Sequence, residues 1–424
     1  VAWAIRGLIE GFYGPPWTWD ERIDVARSCA ARGMTHYVYA PKDDPHHRER
    51  WREPYPAEAL AGFERLIADG DLTVGFAISP GLSIDAGDPA DRDALAAKLA
   101  PMLDRGVELV VLALDDLPPR PGLGEEHAAL TSWLHGWLDG RATLALIPTE
   151  YTGTGGATPY LEALADLPED VPIGWTGPAV VNDTITEEDA LRRGRALSGR
   201  PPLLWDNWPV NDAVMADRLF LGPLRGRDPR LDEVCSGYLA NPMVQPLASK
   251  VALASTAAYL RGEDPIRVWD VEVGELRVLG EACDGSAPAA LVAEVVAGAP
   301  TGPLAAWLDV AARCSAPGLE GEADPWVEQV HAEARVGRAA VRLLDALADG
   351  EVAAAHEQAL AIAFTWPAVR RSPVTVLGPR CSFRPVLGQD DAGRWVLRPG
   401  AVEDDANAVD RLVRFALAGL ADAS

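Results

Sequence analysis

Residues 107–119 read VELVVLALDDLPP, an apolar, β-branched run that ends on two adjacent carboxylates, Asp115 and Asp116. Successive side chains of a strand alternate faces, so two acids inside a sheet would send one into the core and the other under the covering layer. At the last residues of the strand both can turn to the same open end. Two carboxylates that close repel, and one tends to keep its proton while the other ionises. Glycosidic cleavage uses such a pair, a proton donor for the leaving oxygen and a second carboxylate for the developing positive charge. A solvated loop or a helix N-cap is the plain alternative, because Asp before LPPRPG also starts turns.

Seven more apolar runs end in polar or aromatic clusters: AIRGLIEGFYG, THYVYAPKDD, TVGFAISPG, ATLALIPTEY, PIGWTGP, LLWDNWPVND and CSGYLANPM. Between the runs lie stretches of helical period or composition, such as DERIDVARSCAARG, ALAGFERLIADG, DRDALAAKLAPMLDRG, ALTSWLHGWLDG and EEDALRRGRALSG. Thr18 with Glu21 fits a capping box, and Gly33, Gly70 and Gly106 sit where helices should stop. The pattern predicts an α/β fold, a (β/α)8 TIM barrel over residues 1–264, with its chemistry at the C-terminal ends of the strands. An open doubly wound sheet would carry a glycine-rich phosphate turn after its first strand, and EGFYGPPW has its glycines at another spacing.

From residue 265 to 424 the alternation stops, and alanine- and leucine-rich sequence predicts a mainly α-helical C-terminal domain. Its longest helical stretch runs from Trp326 to Phe364, a β-like segment lies near 372–399, and VEDDANAVDRLVRFALAGL closes the chain as an amphipathic helix.

Composition narrows the function. The chain has 424 residues, 48% hydrophobic and 24% charged, close to globular averages. A net charge of −25 repels phosphate backbones and anionic headgroups, which argues against nucleic acid and membrane partners. Cys29, Cys235, Cys283, Cys314 and Cys381 are odd in number and scattered, and read as reduced core residues of a cytoplasmic protein. No run reaches the roughly 18 apolar residues of a spanning helix, and Val1 starts no signal sequence, although the missing initiator Met leaves room for a removed leader. No oligomeric state can be read from the chain.

The other strand ends favour a sugar site. Tyr13, Tyr39, Tyr151, Trp175, Trp205 and Trp208 fall there with Lys42, Asn207, Asp212 and Asn241, flat apolar faces mixed with hydrogen-bonding groups. Pyranose rings present C–H faces and hydroxyl rims that such a mixture matches. Taken singly, each aromatic reads more readily as core. Asp43, Asp44, His46 and His47 could hold a metal, but Arg48, Arg50 and Arg52 beside them suggest salt bridges within a loop, so neither metal nor cofactor is expected. No GxSxG, HExxH or P-loop pattern supports a competing chemistry.

In order along the chain, GLIEGFYGPPW, YVYAPKDDPHHRERWREPYP, LALDD, PTEY, WDNWPVND and NPM resemble the motif set of glycoside hydrolase family 84, the O-GlcNAcase and hyaluronidase-like β-N-acetylglucosaminidases. The resemblance covers the barrel and implies a retaining, substrate-assisted mechanism in which the sugar's own acetamide attacks the anomeric carbon to give an oxazoline. It implies that Asp115 accepts the acetamide N–H, that Asp116 is the general acid and then base, and that Tyr151 donates to the acetamide carbonyl. Gly11, Lys42, Asp212 and Asn241 would contact sugar hydroxyls, Asn207 would bond the sugar near the reacting centre, and Tyr13, Thr176 and Trp205 would wall the acetamide pocket. The implied substrate is a GlcNAc-containing glycoside, including O-GlcNAc on Ser or Thr of a protein or peptide.

An endo-acting, hyaluronidase-like hexosaminidase and a non-catalytic GlcNAc-binding barrel are the alternatives. The short LPPRPGLG connection after the acids departs from the pattern and leaves aglycone preference open. In the helical region Arg380, Phe383, Arg384, Trp395 and Asn407 are candidates for a protein-substrate groove, with a structural role the stronger reading.

Overall fold

The computed structural model describes residues 3–381, 386–389, 395–398 and 407–423, so Phe383 and Arg384 lie outside the described residues. The eight apolar runs form parallel strands β1 (Ile5–Glu10), β2 (His36–Tyr39), β3 (Thr73–Ile78), β4 (Leu109–Ala113), β5 (Thr143–Ile147), β6 (Gly174–Trp175), β7 (Leu203–Asp206) and β8 (Gly237–Ala240). Between and after them lie α1 (Trp19–Ala30), α2 (Ala57–Asp69), α3 (Pro89–Leu103), α4 (Leu123–Leu138), α5 (Pro159–Ala163), α6 (Glu187–Ala196), α7 (Leu231–Val234) and α8 (Pro246–Leu260).

The sheet order is β5-β4-β3-β2-β1-β8-β7-β6, and its two ends meet at a single bridge, Leu146 to Ile173. This is a (β/α)8 barrel with one thin seam. Its interior is filled by alternate residues of seven strands, among them Ile5 and Ile9, Val38 and Ala40, Leu109, Val111 and Ala113, Leu203 and Trp205, and Leu239. Each buried aliphatic chain contributes on the order of 1.5–3 kcal/mol relative to exposure.

On the outer faces, buried charge is paired. Glu10 at the end of β1 takes two bonds from Arg22 of α1, at 2.7 and 2.9 Å. Asp206 of β7 takes two from Arg227, at 2.7 and 2.8 Å. The Thr18–Glu21 capping box is formed. Gly33 and Gly106 adopt the left-handed conformation expected past a helix end, whereas Gly70 stays right-handed and Asp71 takes the positive φ, 57°.

Two compact units divide the chain: Val1–Ala213 with Pro223–Trp269, and Val214–Gly222 with Asp270–Ser424. A short excursion after β7 thus belongs to the second unit, which sequence periodicity did not reveal. The division falls inside α9 (Pro265–Glu272), followed by α10 (Arg277–Asp284), α11 (Ser286–Val296), α12 (Gly302–Ala311), α13 (Asp324–Ala348), α14 (Val352–Arg370) and α15 (Ala408–Ala423). The long stretch from Trp326 to Phe364 is therefore two helices, broken at Gly350, whose φ of 76° a helix cannot contain. A β-hairpin, β9 (Val386–Gln389) with β10 (Trp395–Arg398), lies within the β-like segment.

Asn407 is buried and spends its side chain at the start of α15. Its Oδ1 accepts from the Val409 and Asp410 amides, at 2.9 and 3.1 Å, and its Nδ2 donates to Val376 and Pro379 carbonyls. That is an N-cap, a structural role. Arg380 likewise donates within its own unit, to the Ser372 carbonyl at 3.1 Å.

Candidate active site

The site follows from strand parity. Leu109, Val111 and Ala113 face into the barrel, and one further step of two places Asp115 in the same phase, almost fully buried at 7% exposure. The same step from Ile9, Ala40, Trp205 and Leu239 reaches Gly11, Lys42, Asn207 and Asn241. Five strands thus deliver five of the expected residues as one more layer above the apolar core.

Parity alone would turn Asp116 outward. Its φ is +56°, in the left-handed region that Asp tolerates better than most residues. This local reversal brings the second carboxylate to the mouth, where Tyr13 Oη donates to Oδ2 at 2.8 Å and Tyr151 Oη to Oδ1 at 3.0 Å. Such strained backbone costs on the order of 1–3 kcal/mol and persists where the surroundings enforce it.

The two acids have unlike surroundings. Asp115 Oδ2 accepts the Lys42 ammonium in a buried ion pair, while Lys42 stays 3.8 Å from Asp116 Oδ2. Burial alone would raise the Asp115 carboxyl, but the charge and hydrogen bond of Lys42 outweigh it and hold the group below its usual range. Asp115 is therefore ionised at neutral pH. Its other oxygen, Oδ1, is buried with no hydrogen-bond partner among the described residues. A buried, unpaired acceptor costs about 1–3 kcal/mol, so it is a group built to receive a donor.

An amide chain ties the other strand ends. Gly11 N donates to Asn241 Oδ1 at 3.1 Å, Asn241 Nδ2 to Asn207 Oδ1 at 3.0 Å, and Trp205 Nε1 to the same oxygen at 2.9 Å. Asn207 Nδ2 donates to the Val180 carbonyl at 2.8 Å, so each of these amides has a second N–H beyond the bond named. Gly11 must be glycine, because a Cβ there would lie 2.4 Å from the Trp205 ring. Asp212 Oδ2 accepts the Tyr13 amide at 2.7 Å, leaving Oδ1 for the mouth; burial raises its carboxyl above the usual value. Thr176 N donates to the Tyr151 carbonyl at 2.8 Å and joins the loops after β5 and β6. Burial, then the Asp116 charge, pushes the Tyr151 phenol well up, so it remains a donor.

Comparison with known proteins gives the family. The beta-N-acetylglucosaminidase family matches residues 6–278. The chain belongs to that family, family 84 of the glycoside hydrolases. The Protein O-GlcNAcases of Rattus norvegicus and Mus musculus are each 32% identical over 273 residues, 60% of this chain and 30% of theirs. The match thus spans three tenths of the length of those relatives. The solved O-GlcNAc hydrolase of Thermobaculum terrenum superposes with a TM-score of 0.79 at 28% identity, covering 88% of this chain and 92% of that one.

Within this family-84 barrel, several strand-end residues serve the core. Trp175 is fully buried and donates to the Gly153 carbonyl at 2.9 Å. Tyr39 belongs to an aromatic cluster with Trp19, Phe63 and Phe76, its hydroxyl donating to Asp44 at 2.8 Å. Asp44 also receives Tyr55 at 2.6 Å, and no group of three His, Cys, Asp or Glu among the described residues is placed to hold a metal. Among the described residues no helix is long and apolar enough to cross a membrane.

Two residues stand in other places than the sequence suggested, where His47 was a candidate metal ligand and Arg48 a loop salt bridge. His47 is fully buried; its Nδ1 bonds the Ala77 carbonyl at 2.9 Å, and burial with the nearby Lys42 charge pushes it down to about 4, so the ring is neutral near pH 7. Arg48 does not stay within its loop: it donates to Tyr13 Oη at 2.9 Å. Its partner in space is 35 residues away, which no local pattern signals.

Proposed function

We propose that the chain is a retaining exo-β-N-acetylglucosaminidase that works by substrate assistance and removes O-linked GlcNAc from Ser or Thr of proteins. The observation that carries the reading is the setting of Asp115: held on one oxygen by the Lys42 ammonium, which favours its charged form, and with the other oxygen buried and unpaired among the described residues. An acetamido sugar offers an N–H to that oxygen. Accepting it aims the acetamide carbonyl at the anomeric carbon and stabilises the positive charge that develops as the oxazoline closes. The attacking oxygen is already tethered to the substrate, which removes most of the ordering cost.

In this mechanism Tyr151 turns from Asp116 to the acetamide carbonyl and steadies it. Asp116 passes a proton to the glycosidic oxygen as the C1–O bond breaks, then takes one from the water that opens the oxazoline. Asp212 and the spare N–H of Asn241 hold the hydroxyl rim, and Trp205 with Thr176 lines the acyl pocket. The protein aglycone rests on the names of the relatives, Protein O-GlcNAcase and O-GlcNAc hydrolase.

The test is a series of 4-nitrophenyl β-glucosaminides bearing N-acetyl, N-fluoroacetyl, N-difluoroacetyl and N-trifluoroacetyl groups. A rate that falls steeply as the carbonyl loses basicity is expected. A flat series would remove the acetamide as nucleophile. GlcNAc release from a glycosylated peptide tests the aglycone, and viscosity loss from hyaluronan without peptide turnover would reassign the protein to glycan substrates.

A further inference from the structure

We propose that Arg48 is a positioning residue for the general acid, acting on Asp116 through the Tyr13 hydroxyl. This rests on the reading of Asp116 as the acid. The contacts run in one line: Arg48 Nη1 to Tyr13 Oη at 2.9 Å, and Tyr13 Oη to Asp116 Oδ2 at 2.8 Å. A guanidinium has no acceptor, so Arg48 must be the donor in the first contact. The phenol then has one proton left, and the only direction that satisfies it is the carboxylate. Arg48 thereby fixes the polarity of the second bond as well as the place of the ring.

The main chain under Tyr13 is already held, its amide by Asp212 Oδ2 at 2.7 Å and the Gly14 amide by Asp43 Oδ2 at 3.0 Å. What the main-chain bonds do not hold is the ring, and Tyr13 is 40% exposed at the mouth. Arg48 restrains that freedom, with its guanidinium 5.9 Å from the ring centre.

The consequence for the reaction concerns which oxygen carries the proton. Tyr13 occupies Oδ2, so when Asp116 is protonated the transferable proton sits on Oδ1, the oxygen that Tyr151 leaves on turning to the acetamide. Once Tyr151 has left, Tyr13 is the remaining described donor that aims the acid. Arg48 therefore matters most while the proton moves from Oδ1 to the departing oxygen.

The experiment measures kcat/KM for Arg48→Met, Tyr13→Phe, the double variant and Asp116→Asn in the full chain. Two substrates are used, the 4-methoxyphenyl β-GlcNAc glycoside, whose leaving group needs a proton, and the 2,4-dinitrophenyl glycoside, whose leaving group does not. Losing one aiming hydrogen bond predicts about a tenfold loss for Arg48→Met on the first glycoside and less than about threefold on the second. Arg48→Met should add nothing in the Tyr13→Phe background, and Arg48→Lys, which keeps a donor and the charge, should recover most of the rate.

Equal losses on both glycosides would overturn the proposal, since misfolding or a general loss of positive charge acts on both. Full additivity with Tyr13→Phe would also overturn it, because Arg48 would then act on Asp116 directly. If Asp116→Asn itself fails to separate the two glycosides, the acid assignment falls; if it separates them and Arg48→Met does not, only the role of Arg48 falls.

Discussion

Replacing Lys42 by Met leaves Asp115 buried without its counter-ion, and the cost can be worked from the structure. The side chains of the pair are 4% and 8% exposed, so water replaces little of the lost interaction. The cost has a ceiling, because the carboxyl escapes by taking a proton. Protonating an Asp of ordinary pKa about 3.9 at pH 7 costs 1.36 kcal/mol for each of about three units, or roughly 4 kcal/mol. That agrees with the 3–5 kcal/mol typical of breaking a buried pair.

The sign with pH follows. In the intact protein Asp115 lies below its usual range, so its contribution is present above the unfolded pKa and fades as pH falls. In Lys42→Met the folded pKa lies above the unfolded one, so the penalty is absent below about pH 4 and grows as pH rises. The stability gap should therefore shrink by about 1.4 kcal/mol per pH unit between pH 7 and about pH 4. Urea denaturation of both proteins at pH 7, 6 and 5 measures it. A gap below about 1 kcal/mol at pH 7, or one that does not change with pH, would refute the view that Lys42 holds Asp115 charged.

Further outcomes follow from other residues. Tyr151→Phe should lower kcat by roughly 10- to 100-fold with little change in KM, as loss of one donor to a polarised carbonyl does; unchanged steady-state kinetics would take Tyr151 out of the reaction. Gly11→Ala drives a Cβ to 2.4 Å from the Trp205 ring and should cost about 1–3 kcal/mol in thermal stability as well as weaken GlcNAc binding, and an unchanged melting temperature would show that the indole yields freely. Burial pushes Glu333 of the helical unit up to about 8, so its folded pKa exceeds the unfolded one and its contribution is lost as pH rises toward 8. Glu333→Gln should therefore remove a stability loss of about 1.4 kcal/mol per pH unit between pH 6 and 8, and identical pH slopes for both proteins would show that Glu333 is not protonated in the fold.

Much of the barrel was legible because a parallel strand covered on both faces must be an apolar run, and the runs of β4, β5 and β7 end abruptly in polar residues. The candidate residues Asp115, Lys42 and Asn207 were legible as polar groups at the ends of those runs, and the structure adds that they continue the period of two from the last apolar residues. What stayed hidden is contact between distant residues. Nothing around Arg48 marks it as a neighbour of Tyr13, and its surroundings suggested a loop ion pair, which Arg50 does make with Glu53 at 3.0 Å. Arg52 instead reaches Asp91 of α3 at 2.6 Å. The turn of Asp116 was hidden too, since a positive φ belongs to the backbone and leaves no signature in an Asp-Asp pair. In the helical unit, composition announced helix but blurred the break at Gly350, because alanine-rich sequence continues on either side.

The seam of the barrel bears on which acyl groups it can admit. β5 and β6 share a single bridge, whereas β4 and β5 pair along five residues. The loops that leave β5 and β6 carry Tyr151 and Thr176, and two backbone bonds lace them above the gap, Thr176 to Tyr151 at 2.8 Å and Gly153 to Gly177 at 2.9 Å. On the proposed reading the acyl pocket lies beside the line where the fewest ladder pairs join neighbouring strands, while the carboxylates follow a strand paired along five residues with β5. A longer N-acyl chain would thus press on a line of the barrel held by one bridge and two loop bonds, and not on the ladder that carries the acids.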